Sequence, residues 1–107
     1  MSSTSYQLIA EAIRSKKQIH STYSGLHREM CPHVLGYKDG KEQALFVQFG
    51  GLSSSKGSIT PASAEWRCIP VGNLSNIKLV DGPWYTLETQ NKRRTSCVDQ
   101  IDVEVSI

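Results

Sequence analysis

The chain has 107 residues, of which 38% are hydrophobic and 7% are aromatic. That length is typical of one domain, and the apolar fraction is too high for an intrinsically disordered chain. The formal net charge of +2 is compatible with anion binding but far below the basicity of a protein that coats nucleic acid. The sequence therefore predicts a single domain over residues 1–107 with one modest core.

Three cysteines, Cys31, Cys68 and Cys97, are widely spaced along the chain. An odd number without close pairs argues against a disulfide framework. No basic leader followed by an apolar run opens the chain, and no apolar stretch approaches the ~18–20 residues that a membrane span needs. We therefore expect a cytoplasmic protein with reduced thiols and no membrane association.

The first element is a helix, predicted over residues 4–17. Its opening, Thr4-Ser5-Tyr6-Gln7, matches the capping-box pattern. Tyr6, Ile9 and Ile13 then share one helical face, and basic residues fill the last turn, where they favour the negative end of the helix dipole. This narrow apolar stripe needs a partner surface.

From residue 19 the apolar period changes from helical to alternating, as in β-strands. Strands are predicted over residues 19–23, 27–37 and 44–49, with turns at Ser24-Gly25 and Asp39-Gly40. The third strand is apolar on both faces except at Gln48, so it should be central. Pro32 lacks a backbone donor and predicts an edge or a bulge in the second strand.

The second half of the chain resumes the alternation after a polar interval. Residues 51–64 are mostly small and include five serines, and they predict a long flexible loop. Further strands are predicted over residues 66–71 and 74–80, and a last one where Ile101, Val103, Val105 and Ile107 alternate with polar residues. One helix followed by five or six short strands indicates a mainly β fold, a small antiparallel barrel with the helix packed on it.

Three segments of this pattern stand out: the helix that ends at Arg14 with the strand to Tyr23, the stretch from Arg28 to Pro32, and Trp66-Arg67-Cys68-Ile69 through Asn73-Leu74 to Ile77. Together they resemble the WYL domain of bacteria, an SH3/Sm-like barrel preceded by a helix, and the resemblance covers residues 6–79.

The chain departs from the family pattern at two motifs. Gln43-Ala44-Leu45 stands where the family has its aromatic-Tyr-Leu tripeptide, and Asn73 stands at the second arginine of the closing segment. The 107 residues hold no winged-helix domain, which family members commonly carry to reach DNA. The resemblance implies a divergent, stand-alone module of bacterial regulation that senses a ligand or nucleic acid, rather than an enzyme.

Arg28 and Arg67 are the strongest candidates for a ligand-binding site. Each lies in a predicted strand at a position that matches an arginine of the WYL pattern. Guanidinium groups bind phosphate or carboxylate through paired hydrogen bonds of fixed geometry. The alternative for each is a surface salt bridge with Glu29 or Glu65.

Three further side chains are candidates for the same pocket. His33 and Gln48 lie on neighbouring predicted strands, and each offers a donor and an acceptor for a base or a sugar. Trp66 offers a flat face for base stacking, which is worth about 1–3 kcal/mol where it occurs. Each could instead be structural, and Trp84 is expected in the core or in a dimer interface. With the arginines, they predict a pocket for a small anionic ligand, a nucleotide or a single-stranded nucleic acid.

Cysteine and histidine side chains leave a metal or thiol site as an alternative. Zinc ligands could come from Cys31, His33, Cys68 and Cys97, with His20 or His27 in reserve, but closely spaced ligand pairs are absent. Residues two apart on a strand stand about 7 Å apart, too far for a ready thiol–imidazole pair between Cys31 and His33. We therefore expect buried cysteines, no structural metal, no cofactor and no enzymatic activity.

Partners are predicted from charge and from apolar surface. The run Lys92-Arg93-Arg94, with Lys16, Lys17 and Lys56, could face phosphates or could be a solvated loop. An amphipathic last strand and two tryptophans on a short chain predict a homodimer. The main alternative to ligand sensing is a protein–protein interaction module with an exposed strand edge and no small ligand.

Overall fold

The computed structural model describes residues 3–54, 57–87 and 96–105. In these residues a helix, α1 (Thr4–Ser15), precedes strands β1 (Gln18–Tyr23), β2 (Leu26–Lys38), β3 (Lys41–Ser53), β4 (Gly57–Ser58), β5 (Glu65–Pro70), β6 (Leu74–Val80) and β7 (Gln100–Glu104). This architecture confirms the predicted mainly β fold with an N-terminal helix. No helix in the described ranges combines the length and the apolar character needed to cross a membrane.

The long hairpin of β2 and β3 forms the centre of one antiparallel sheet. Strands β1 and β7 pair with the two halves of β2, strands β4 and β5 pair with β3, and β6 pairs with β1. The sheet curls into a half-barrel. Its hairpin turn is the predicted Asp39-Gly40, where both residues have positive φ, 52° and 79°, as the tightest hairpin turns require.

Pro32 produces a bulge in β2. The register moves from Pro32 opposite Phe46 to Val34 opposite Leu45, so His33 is the extra residue. Of the two alternatives predicted for Pro32, the bulge is the observed one, and the edge position is wrong because β2 has partners on both sides. The bulge bends β2, which helps the sheet to curl.

Helix α1 is capped by Ser3, one residue before the predicted start of the capping box. The Ser3 hydroxyl accepts a hydrogen bond from the Tyr6 backbone N–H at 3.1 Å, and the helix ends at Lys16 in the left-handed conformation. The predicted apolar face is buried against the sheet. The core includes Ile9, Ile13, Ile19, Met30, Leu35, Phe46 and Val71, each no more than 2% exposed.

The segment predicted as a flexible loop, residues 51–64, is partly regular. Strand β3 continues to Ser53, and its end pairs with β4 in the register Leu52 opposite Ser58. Pro61–Ser63 then forms a 3-10 turn. Small residues favour loops, but here many of them lie in β3, β4 and the 3-10 turn, and Gly57 has the positive φ, 71°, that glycine adopts without strain.

Cys68 and Cys97 form a disulfide bond in this structure, contrary to the expectation of three reduced thiols and no disulfide. The pair is 29 residues apart in sequence, with Cα atoms 5.6 Å apart. Cys68 lies opposite Leu45 in the sheet, and Cys97 packs against Leu45 in a small second core cluster. This meeting arises from the fold and not from sequence spacing. Cys31 is a free, buried thiol, as predicted.

Strand β7 differs from the strict alternation predicted for the last strand. A register shift between Leu35 and Gly36 makes Asp102 an extra residue in β7, and Ile101 is left 36% exposed. Gly36 is required here because any Cβ at this position would overlap the carbonyl oxygen of Gln100. Residues 106–107, the end of the predicted strand, lie outside the described residues.

Candidate functional site

Three of the five predicted ligand residues meet on neighbouring strands. Arg28 comes from β2, Gln48 from β3 and Arg67 from β5. Arg67 lies opposite Phe46 in the sheet, two residues from Gln48. Paired and alternate residues share a face of a sheet. All three side chains therefore lie on the face that carries the helix-packed core, which we call the first face.

Gln48 organises this cluster. Its side chain is completely buried, and its Nε2 donates to the carbonyl oxygens of Gly50 at 3.0 Å and Leu52 at 2.9 Å. These two bonds fix the amide orientation, so Oε1 faces the guanidinium groups. It accepts from Arg28 Nη1 at 3.3 Å and from Arg67 Nε at 3.4 Å. Every polar atom of the amide is therefore used in positioning the two arginines.

Arg28 is buried without a carboxylate partner. It is 3% exposed, its Nε donates to the Tyr23 carbonyl oxygen at 3.4 Å, and its guanidinium carbon lies 4.8 Å from the centre of the Tyr23 ring. No acidic side chain in the described part of the chain forms an ion pair with it. Burial lowers the pKa of Arg28, and the nearby positive charge of Arg67 lowers it further. The site therefore holds positive charge that its own residues do not neutralise.

Arg67 is anchored by its neighbours on the same face. Its Nη2 forms an ion pair with Glu65 at 2.8 Å and donates to the Ser53 hydroxyl at 3.0 Å. The ion pair is about three-quarters buried, with 23% and 27% side-chain exposure. Glu65 is one of the partners that the salt-bridge alternative named, but the pair is largely buried and not a surface salt bridge. Among the described residues, the ion pair shown for these two arginines is therefore the one between Glu65 and Arg67.

A cleft of about 300 Å³ opens beside the arginines. Its lining residues are Tyr23, Arg28, Ser53, Ser54, Trp66, Arg67, Cys68 and Ile69. That volume is at the small end for ligand pockets. It suits a phosphate or carboxylate group with a small attached moiety. The hydroxyl of Ser53 adds a polar group that could hydrogen-bond to an anion.

His33 does not lie in this cluster. It belongs to the bulge of β2, and its ring stands edge-on to Trp66 with ring centroids 5.0 Å apart. Trp66 follows Glu65, which pairs with Gln48, so the alternation of β5 places Trp66 on the opposite face, which we call the second face. The predicted grouping of His33 with the arginines is therefore wrong. Trp66 also contributes to the lining of the cleft.

The surroundings of His33 are those of a structural residue. Its Nδ1 donates to the Cys31 carbonyl oxygen at 2.8 Å, and its ring also contacts Trp84 at 5.1 Å between centroids. Burial lowers the pKa of His33 to about 4, although the bond to the Cys31 carbonyl opposes the shift. His33 Nε2 and the Nε1 atoms of both tryptophans are buried without a hydrogen-bond partner among the described residues.

Three residues of the arginine cluster were not predicted from the sequence. Tyr23 ends the first predicted strand, and its alternation could have placed it on the same face as Ser21. Ser53 fell in the segment interpreted as a loop, so nothing in the pattern placed it beside Arg67. Glu65 was named as a salt-bridge partner but not as a member of the site.

The structure does not bring together the four residues that were the alternative zinc ligands, Cys31, His33, Cys68 and Cys97. Two of the four are joined as the Cys68–Cys97 disulfide, and His33 contacts the Cys31 carbonyl and not its thiol. Burial raises the pKa of the Cys31 thiol to about 11, and a hydrogen bond from the Tyr85 backbone N–H offsets part of this. A thiol of that pKa carries almost no thiolate at neutral pH, which makes it a poor nucleophile.

Only part of the predicted basic patch lies within the described residues. Lys92-Arg93-Arg94 and Lys56 lie outside the described residues, whereas Lys16 and Lys17 lie at the end of α1.

Comparisons with protein-family models, with curated proteins and with solved structures find no match to this chain. The resemblance to the WYL domain therefore stays a prediction.

Proposed function

We propose that this protein is a regulatory module that binds a small anionic ligand, a nucleotide phosphate or the phosphorylated end of a single-stranded nucleic acid, in the cleft beside Arg28 and Arg67. The observation that carries the proposal is the buried Arg28 guanidinium, which is held by Gln48 and Tyr23 but has no carboxylate partner among the described residues. Burying a cation is costly unless an anion compensates for it. A bound phosphate would supply that charge.

The geometry of the two guanidinium groups supports an oxyanion as the ligand. Both approach Gln48 Oε1, so their remaining N–H groups lie close together at the cleft. Guanidinium forks recognise phosphate and carboxylate oxygens through paired bonds. Glu65 competes for Arg67, which favours a ligand that brings more than one negative charge.

Calorimetric titration tests this proposal with inorganic phosphate and with a short deoxythymidine oligonucleotide that either carries or lacks a 5′-phosphate. We expect the phosphorylated form to bind more tightly. Arg28→Lys and Arg67→Lys should each weaken binding about tenfold or more, because lysine keeps the charge but cannot form the paired bonds. Arg14→Lys, on the exposed face of α1, is the matched control. Equal affinity in all three variants would show that the cleft is not the site.

An interaction module is the second candidate, and the edges of the sheet favour it. In the described residues β5 pairs with β3 alone and β6 pairs with β1 alone, so each has an edge without a strand partner. Such edges accept an added strand from another chain. In that case amide protection from hydrogen exchange would rise along β5 or β6 in the presence of the partner, and phosphate would not bind.

A homodimer is part of the proposal. Leu52 and Ile101 are the exposed large hydrophobic residues in the described ranges, at 42% and 36% exposure. Sedimentation at high micromolar concentration tests it, and a monomer under those conditions would rule it out. Lysine at both positions should shift a dimer towards monomer.

The proposed location is the cytoplasm, which keeps thiols reduced. There the Cys68–Cys97 disulfide would form only under oxidising conditions. Alkylation of free thiols at cell lysis, followed by mass measurement, tests this. Two alkylated cysteines at these positions during normal growth support a cytoplasmic location, and a constant disulfide argues against it.

A further inference from the structure

Three side chains that can bind metals converge on the hairpin of β1 and β2, away from the arginine cluster. They are His20, His27 and Glu29, and one ligand atom from each lies within 4.8 Å of the others. His20 is directly opposite Glu29, and His27 is two residues before Glu29 on the same strand. Alternation places all three on one face of the hairpin, whereas Arg28, between His27 and Glu29, points to the other.

His20 is held with one ring nitrogen available. Gln18, which is 5% exposed, donates from Nε2 to the Pro83 carbonyl oxygen at 2.7 Å. This bond turns its Oε1 towards His20 Nε2, 3.1 Å away. An amide oxygen only accepts hydrogen bonds, so Nε2 of neutral His20 carries the proton and Nδ1 has the lone pair. A hydrogen bond that fixes the tautomer in this way is typical of metal-binding histidines.

Glu29 is positioned by the neighbouring strand. It lies opposite Gly50 on β3, where any Cβ would overlap the Glu29 carboxylate oxygen. Its Oε2 lies 3.1 Å from His27 Nε2. Two ligands about 2.0–2.1 Å from a tetrahedral zinc ion stand roughly 3.3 Å apart. The His27–Glu29 separation therefore matches one edge of such a site without rearrangement.

We propose that His20, His27 and Glu29 bind a divalent transition-metal ion of the zinc type, with water completing its coordination. Two imidazoles and one carboxylate suit Zn²⁺, whereas Mg²⁺ prefers oxygen ligands alone. The proposal is independent of the anion-binding function, because the two sites lie on opposite faces of the hairpin. Lys78, opposite His20 on β6, is the neighbouring cation.

The test is calorimetric titration of the untagged, full-length, disulfide-intact protein with ZnCl₂ at neutral pH in a non-chelating buffer without thiol reductant. We expect one site per chain and no binding of Mg²⁺. His20→Asn, His27→Asn and Glu29→Gln should each weaken zinc binding about tenfold or more, since each removes a ligand. Lys78→Gln is the matched control and should bind zinc at least as tightly as the unaltered protein.

Ring-nitrogen NMR signals give a second readout that does not depend on variants. Zinc should shift the signals of His20 and His27 and leave those of buried His33 unchanged. The proposal is overturned if zinc does not saturate a single site. It is equally overturned if the His20→Asn/His27→Asn double variant, shown to be folded by circular dichroism, binds as the unaltered protein does, or if Lys78→Gln loses as much affinity as the ligand variants.

Discussion

Arg28 and Arg67 donate to the same acceptor, the Oε1 atom of Gln48, at 3.3 Å and 3.4 Å. Two like charges are thus held together by a neutral amide, and the amide is itself fixed by two backbone carbonyl oxygens. The repulsion between the arginines lowers the pKa of Arg28 in addition to the effect of burial. Such an arrangement stores unfavourable electrostatic energy that an anion would relieve.

Gln48→Met should lower the free energy of unfolding by about 1–3 kcal/mol, because it leaves buried carbonyl and guanidinium groups without their partner. The measurement is urea unfolding followed by circular dichroism. Gln7→Met, on the exposed side of α1, is the control, since methionine and glutamine have similar helix propensities. Equal stability of the two variants would mean that Gln48 is not the organising residue of the cluster.

Reduction of the Cys68–Cys97 bond should destabilise the fold by about 3–4 kcal/mol, the value that loop-closure entropy gives for a loop of roughly 30 residues. Urea unfolding with and without a thiol reductant measures the effect. A Cys68→Ala/Cys97→Ala variant should be destabilised similarly and should not respond to the reductant. A mass spectrum of the air-oxidised protein that shows three free thiols would contradict the disulfide itself.

Much of the fold could be predicted because its signals are local. The periodicity of α1, the Asp39-Gly40 turn and the apolar run in β3 each depend on residues close together in sequence. The convergence of Arg28, Gln48 and Arg67 could also be expected, since they lie on predicted strands that become neighbours. The disulfide could not be predicted, because Cys68 and Cys97 meet only through the tertiary fold.

The position of His33 shows where strand patterns are insufficient. A position on a strand next to that of Gln48 is not sufficient for a shared pocket, because simple alternation puts His33 on the face of Cys31 and not on that of Arg28. Neighbouring strands present two faces, and the bulge after Pro32 turns His33 towards the tryptophans of the second face. Predicting a site therefore requires the face of each residue as well as its strand.

Cys31 should be nearly inert to thiol reagents in the folded protein. Its side chain is fully buried, and burial raises its pKa to about 11, so little thiolate is present or accessible. We expect no rapid reaction with a disulfide reagent at mildly alkaline pH in native, non-reduced protein, and about one reacting thiol per chain after denaturation. Cys31→Ser, which should give none in either state, is the control. Rapid reaction of the native thiol would contradict this prediction and would show that Cys31 is accessible enough to act as a nucleophile.

His33 should make the fold less stable in mild acid. Its pKa is lowered from 6.5 to about 4 in the folded protein, so the unfolded chain takes up a proton more readily than the folded one. The stabilising effect of neutral His33 is therefore complete above the unfolded pKa and declines as the pH falls below it. The loss in the free energy of unfolding levels off at about 3 kcal/mol below the pKa that His33 has in the folded protein, since each pKa unit corresponds to roughly 1.4 kcal/mol.

Urea unfolding at pH 7 and pH 5 measures this dependence, and we expect His33 to account for about 2 kcal/mol of the difference. The His33→Gln variant, whose amide can still donate to the Cys31 carbonyl, should lose this contribution to the difference in stability between pH 7 and pH 5. His20→Gln is the matched control and should lose less, because His20 is less buried and Glu29 opposes the lowering of its pKa. An NMR titration that places the pKa of His33 near 6.5 would refute the argument, because an unshifted pKa would mean that water reaches the ring between the tryptophans.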